Sequence, residues 1–160
     1  MKIRSATQAD WAAIHAIVAA AFERAGEAEI VDAVRAGGDG LVELVSEDGG
    51  EITGHVLFNR MTCRPSLALV GLAPLSVGPE HQKKGVGASL ARAGLDACRA
   101  LGVKGCVVLG DPAYYRRFGF ARAPATLISP YARLDAFQAL SFEPGIFDRT
   151  IAADYPSAFG

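Results

Sequence analysis

The sequence is short of the residues that advertise many kinds of chemistry. Its 160 residues hold three cysteines, Cys63, Cys98 and Cys106, which form no C-x-x-C pair and cannot all pair with one another. That excludes a disulfide scaffold and predicts reduced, mostly buried thiols in a cytoplasmic protein. The histidines His15, His55 and His81 have no H-x-x-x-H or similar ligand spacing, so no metal site is expected. Excess charge is lacking too, with Lys+Arg 16 against Asp+Glu 17 and a net charge of -1. A surface that grips nucleic acid needs many basic phosphate contacts, so nucleic acid is not an expected partner. No apolar run approaches the ~20 residues that cross a bilayer, and no membrane partner is expected. The apolar stretch after Lys2 and Arg4 resembles a leader peptide, but Asp10 and His15 interrupt it. Thr7-x-x-Asp10 reads instead as the start of an amphipathic helix.

What is present is a globular composition, 51% hydrophobic and 21% charged. A chain of this length buries ~68–70% of the surface its unfolded form exposes, enough for a core without staples. It matches one domain over residues 1–160. The pattern predicts a short strand near residues 3–5, then a helix from Thr7 to about Arg24 with Ile14, Ile17, Val18, Ala21 and Phe22 on one face. A second helix over 29–35 ends at Gly37-Gly38. The Asp48-Gly49-Gly50 turn joins strands over 41–46 and 51–59 into an antiparallel hairpin. Residues 67–77 are almost wholly apolar, as in a strand covered on both faces. Pro74 cannot donate into a ladder, which predicts a bulge or a locally unpaired edge there. A helix over 85–101, stopped by Gly102, leads to a buried strand over 104–109, and this order implies a parallel pair. Asp111 caps a short helix running to about Arg117, with Pro112 at its first position. Strand-like stretches follow at 120–121, 137–142 and 149–153, with 128–134 irregular. The fold class is therefore α/β (α+β) with a mixed sheet.

Between the buried strand and the long helix lies Val77-Gly78-Pro79-Glu80-His81-Gln82-Lys83-Lys84-Gly85-Val86-Gly87-Ala88. Gly85 and Gly87 allow close backbone approach, and a helix N-terminus offers unpaired N–H groups to an anion. Lys83 and Lys84 add positive charge, and the whole reads as a phosphate or pyrophosphate cradle. It is not a Walker loop, because Val86 follows Gly85 and no Lys-Ser or Lys-Thr pair is near. Nor is it a dinucleotide fingerprint, since Leu90 stands where the third glycine belongs. The cradle alone leaves open a tight connection without a ligand, or an enzyme acting on a nucleotide. The missing Walker lysine disfavours the second.

Gln82-Lys83-Lys84-Gly85-Val86-Gly87 fits Q-x-x-G-x-G/A and resembles the acetyl-coenzyme A signature of the GNAT N-acetyltransferase superfamily. Tyr114-Tyr115-Arg116-Arg117-Phe118-Gly119-Phe120 resembles that family's tyrosine-bearing helix ending in Gly-Phe. Residues 71–77 and 109–115 are most similar to its YhbS-like branch. The resemblance spans roughly the whole chain, with its core motifs in 71–120. It implies a GNAT-type fold: a mixed, mostly antiparallel sheet with a central, splayed parallel strand pair flanked by helices. It also implies acetyl-CoA as co-substrate, no metal, and direct acetyl transfer to a primary amine on a small molecule or peptide. Such proteins act as monomers or homodimers.

For the site, the resemblance implies that backbone groups of Leu75, Ser76 and Val77 pair with the pantetheine arm. Gln82, Lys83, Lys84, Gly85, Val86, Gly87 and Ala88 hold the pyrophosphate. Tyr115 protonates the departing thiolate as a general acid. On its own residues Tyr115 also reads as a core aromatic, as does Tyr114, and Arg116 and Arg117 read as a solvated pair. Residues 67–77 carry no carboxylate or histidine, so the family's usual strand base is absent. Glu29, Asp111 or water is left as the base, with Glu27 beside Glu29, while His55 reads as a packed core residue. The missing base motivates a second reading, a non-catalytic acyl-CoA-binding regulatory module. Cys98 and Cys106 fall on buried faces, and Cys63, in a loop, has no histidine partner, so a cysteine nucleophile is set aside. Residues 60–66 and 126–134 are expected to shape the acceptor pocket.

Overall fold

The computed structural model describes residues 1–22 and 26–160, so the helix end expected near Arg24 lies outside the described residues. β1 (Lys2–Ser5) leads through a 310 turn (Gln8–Asp10) into α1 (Trp11–Phe22), and α2 (Gly26–Ala36) follows. The Asp10 carboxylate accepts the Thr7 backbone N–H at 2.8 Å, the reach-back half of a capping box. Arg4 binds the same carboxylate through both oxygens, at 2.7 and 2.9 Å. β2 (Gly40–Asp48) and β3 (Glu51–Arg60) form the expected hairpin about Gly49-Gly50. Next come β4 (Thr62–Arg64), β5 (Leu69–Val77), α3 (Val86–Ala100), β6 (Gly105–Leu109) and α4 (Pro112–Tyr115). β7 (Ala121–Arg122), β8 (Leu127–Ile128), β9 (Phe137–Ser141) and β10 (Ile151–Asp154) complete the described strands, and a 310 turn (Ser157–Phe159) follows.

The main sheet is seven-stranded, in the order β1-β2-β3-β5-β6-β9-β7. β5 and β6 are parallel, whereas its other described pairs are antiparallel. The mixed sheet with a central parallel pair is the fold the GNAT resemblance implies. Pairing between β5 and β6 runs from Leu69↔Gly105 to Leu72↔Val108, yet β5 continues to Val77. Its last five residues, 73–77, are therefore free on the β6 side, and the two strands part. The cause lies on the other side of β5. Against β3, Val56 faces Leu75 and Phe58 faces Leu72, so Ala73 and Pro74 together oppose Leu57. That is a bulge, which bends and twists the strand where proline cannot donate.

Helices cover both faces. Phe58 and Leu72 of the sheet pack with Leu90 and Leu95 of α3, while Val45 and Leu57 pack with Ile14 and Val18 of α1 and Val31 and Val34 of α2. α3 sits so close that a Cβ on Gly94 would lie 2.1 Å from the Phe58 ring. A second sheet, ordered β4-β10-β8, departs from the sequence expectation of a loop over 60–66. Cys63 lies in a strand, paired with Ala153. These strands are three, four and two residues long, too short to display a period of two. They are held by packing of Leu127, Ile151 and Ala153 on Phe137. Among the described residues no helix is long and apolar enough to cross a membrane.

Candidate active site

The link from β5 to α3 is shaped by two left-handed residues, Lys83 (φ 63) and Gly85 (φ 83). Gly85 is the N-cap of α3, and only glycine takes that conformation without strain. The first helical bond of α3 runs from the Ser89 N–H to the Gly85 carbonyl at 3.1 Å. The N–H groups of Val86, Gly87 and Ala88 therefore have no helical acceptor and present partial positive charge. Gln82 donates its side-chain amide to the Val77 carbonyl at 3.0 Å, tying the loop to the end of β5. A Cβ on Gly87 would lie 2.9 Å from the Tyr114 hydroxyl, so the start of α3 and α4 close on each other here.

A cavity of about 520 Å³ follows this helix start and the free end of β5. Of the residues expected at the pyrophosphate, Gln82, Lys83, Gly85, Val86, Gly87 and Ala88 line it, and Lys84, which is exposed, does not. Leu75 and Val77 line it as well. The Ser76 side chain lies on the opposite face of the strand, paired with His55 in register, and its buried hydroxyl has no hydrogen-bond partner. Among the described residues, the charged residues of the lining are Lys83 and Arg117, with His81 beside them and no carboxylate. Arg117, read from sequence as a solvated cation, donates its Nε–H to the Tyr114 carbonyl at 2.9 Å and stacks 4.3 Å from that ring. A local backbone bond thus aims it at the cavity.

A second cavity, of about 430 Å³, shares Phe22, Leu75 and Tyr115 with the first. Among the described residues, its charged lining residues are Glu27 and Asp111. Asp111 Oδ1 accepts the Ala113 N–H at 2.9 Å, the helix cap expected of it. Glu29 is exposed and lines neither cavity. Residues 60–66 and 126–134, expected to shape the acceptor pocket, line neither cavity, because the second sheet draws them together away from it. α1, α2 and the C-terminal turn take their place.

Tyr115 stands at the junction. Its ring packs edge-on against Tyr114 and Phe120, with centroids 5.0 and 5.9 Å away. A Cβ on Gly110 would lie 2.4 Å from it, so glycine is what lets strand and ring meet. Its hydroxyl makes no hydrogen bond to another described residue. Burial, then neighbouring Tyr114 and Cys106, push the phenol up to about 12, leaving it protonated at neutral pH. Burial also pushes the Cys98 thiol up to about 12 and raises Cys106 and Cys63, so none offers a ready thiolate. His55 is fully buried, with Nε2 2.9 Å from Glu43 Oε1. It lines neither cavity.

A parallel strand pair parted by a bulge, with a cationic helix start beside the gap, defines the acyl-coenzyme A N-acyltransferases as the class. The acetyltransferase (GNAT) domain family matches residues 2–123, and the chain belongs to the GNAT acetyltransferase family. It is 36% identical over 125 residues to the N-acetyltransferase YhbS of Escherichia coli K12, covering 77% of this chain and 75% of that protein. The crystal structure of Escherichia coli YhbS in complex with CoA matches with a TM-score of 0.92 at 31% identity, over 99% of this chain and 91% of that one. A GNAT acetyltransferase from Brucella melitensis in complex with acetyl-CoA matches with a TM-score of 0.86 at 36% identity, over 99% and 97%.

Proposed function

We propose that this acetyltransferase moves the acetyl group of acetyl-CoA directly to a primary amine, with both substrates bound at once and residues 1–160 acting as one domain. The observation that carries the reading is the pair of cavities that meet at Tyr115, the first with Lys83 and Arg117 and the second with Asp111 among their described lining residues. An anionic coenzyme belongs in the first and an amine in the second. Backbone groups of Leu75, Ser76 and Val77 pair with the pantetheine arm as an added strand on the free edge of β5. The N–H groups from Gln82 to Ala88 take the pyrophosphate, with Lys83 and Arg117 as cations at the cavity and Lys84 adding charge from outside.

The acceptor reacts as the neutral amine, its first proton having gone to water. As the C–N bond forms, backbone N–H groups near Val77 stabilise the oxyanion. The tetrahedral intermediate then loses its second amine proton to water and the C–S bond breaks. The thiolate takes the phenol proton of Tyr115, which is restored from solvent. In water a thiolate, whose thiol has a pKa of about 8.5, is a weaker base than a phenolate, whose phenol has one of about 10. In the same dry cavity burial raises the thiol as well, which brings the pair closer. Asp111, at the second cavity, holds the amine, and water serves as the base. The free cysteines support a cytoplasmic protein, and it acts as a monomer or homodimer.

A non-catalytic acyl-CoA-binding module has no use for a second, acid-lined cavity that reaches the same tyrosine. Replacing the phenol, Tyr115→Phe, is expected to lower kcat by about 100-fold, within the range of general acids, while calorimetry finds the acetyl-CoA Kd unchanged. An unchanged kcat removes Tyr115 from the chemistry. Tight acetyl-CoA binding with no thiol release to any amine supports the module instead.

A further inference from the structure

Two buried carboxamides flank the gap between β5 and β6, one beside each strand. Ladder pairing ends at Leu72↔Val108, so Ala73 is the first residue of β5 with no β6 partner, and Gly110 follows the last residue of β6. Asn59 of β3, 0% exposed, faces Gly71 in register. It reaches along β5 to donate its Nδ2–H to the Ala73 carbonyl at 3.3 Å. Gln138 of β9, 1% exposed, faces Val108 in register. Its Nε2–H groups donate to the Gly110 carbonyl at 3.2 Å and the Ala136 carbonyl at 3.3 Å, and the Ala136 carbonyl also accepts the Gly110 N–H at 3.1 Å. The amides belong to opposite faces of the sheet. Asn59 lies with Met61 and Tyr155 around Gly71, whereas Val108, the partner of Gln138, packs in the core beneath α3.

Burying a carboxamide costs free energy unless its groups are bonded, and Asn59 Oδ1 has no partner among the described residues. What each amide adds over an apolar side chain is a donor at a carbonyl that has left the β5–β6 ladder. Both carbonyls are thereby engaged by the outer neighbours, β3 and β9, rather than across the gap. Pro74, next in β5, has no N–H to offer. The strands are thus held from pairing beyond Leu72, and the edge at 75–77 stays open. We propose that Asn59 and Gln138 are positioning residues that keep the gap at the width a pantetheine arm requires. This rests on the placement of that arm along β5 given above.

The test separates the two halves of the coenzyme. Calorimetry gives the Kd of acetyl-CoA, and of its nucleotide half with the pyrophosphate and no pantetheine, for the wild type, Asn59→Leu and Gln138→Met. Both substitutions nearly conserve side-chain volume and remove the donor. Each is expected to raise the acetyl-CoA Kd by about tenfold. The nucleotide Kd should stay within about twofold, since the cradle at α3 is untouched. Equal loss of affinity for both ligands marks general damage to the fold and overturns the proposal, as does an unchanged acetyl-CoA Kd. A second measurement needs no variant. In the wild type, the NMR signals of the Asn59 and Gln138 side-chain amides should shift with acetyl-CoA and stay in place with the nucleotide half. Signals that respond to both ligands or to neither overturn the proposal. Equal wild-type affinity for the two ligands overturns the pantetheine placement itself, whereas tighter acetyl-CoA binding that survives both substitutions overturns the role of the two amides alone.

Discussion

Tyr115 is fixed by what surrounds its ring and left unengaged at its hydroxyl, the arrangement a proton donor needs. With the phenol pushed up to about 12, it stays protonated across the range in which most of the change in acceptor ionisation occurs. The rate kcat/KM should therefore rise with pH as the amine deprotonates, with no falling limb below about pH 10. A pH profile from 6 to about 10 checks this, and a falling limb centred near about pH 8–9 assigns the acid to another group. Tyr115 was legible in sequence because it stands four residues before Gly119 in a recognisable helix. Asp111 was legible as a cap, since Asp-Pro opens a helix on local chemistry alone. Arg117 was not, because a backbone bond to Tyr114 is what turns it toward the cavity. Glu27 and Glu29 share the first turn of α2, and only the seating of that helix decides that Glu27 lines the cavity.

Among the elements, β5 does most to create the site. Its apolar run announced a central strand, and Pro74 announced the break that frees the strand's end. The long, strongly patterned elements α3, β2, β3 and β5 were readable for the same reason: each buries a face whose period shows in the sequence. The small β4-β10-β8 sheet was not, since strands of so few residues carry no period and exist through tertiary packing. The seat of α3 can be tested directly. Gly94→Ala drives a Cβ to 2.1 Å from Phe58 Cε2, and overpacking of this kind costs about 1–3 kcal/mol. Thermal unfolding should show Tm lower by several degrees, at about 2–4 °C per kcal/mol for a chain of this size. An unchanged Tm would mean that the helix sits less closely than described.

At the scale of the whole molecule, a net charge of -1 conceals a division of charge. Among the described residues, the cations Lys83 and Arg117 line the cavity at the start of α3, and the acids Glu27 and Asp111 line the one across Tyr115. Charge also holds the frame. Hydrogen bonds from Arg4 keep the Asp10 carboxyl well below the usual range, outweighing its burial. Burial acts to raise Glu43, but hydrogen bonds from His55 and Arg35 outweigh it and hold that carboxyl low. Both groups are more acidic folded than unfolded, so their stabilisation is complete above the ordinary carboxylate range near about pH 4 and is lost as pH falls through the lower folded values. Calorimetric Tm should fall progressively from about pH 4 to about pH 2, and a Tm that rises or holds over that span contradicts the two networks. The central claim is direct transfer between substrates bound in the two cavities. Its most direct measurement quantifies released thiol and N-acetylated amine in one reaction, with the intact mass of the protein recorded during turnover. The account requires one acetylated amine per thiol and no acetyl group on the protein; thiol release without acetylated amine, or an acetylated cysteine that forms and decays during turnover, would contradict it.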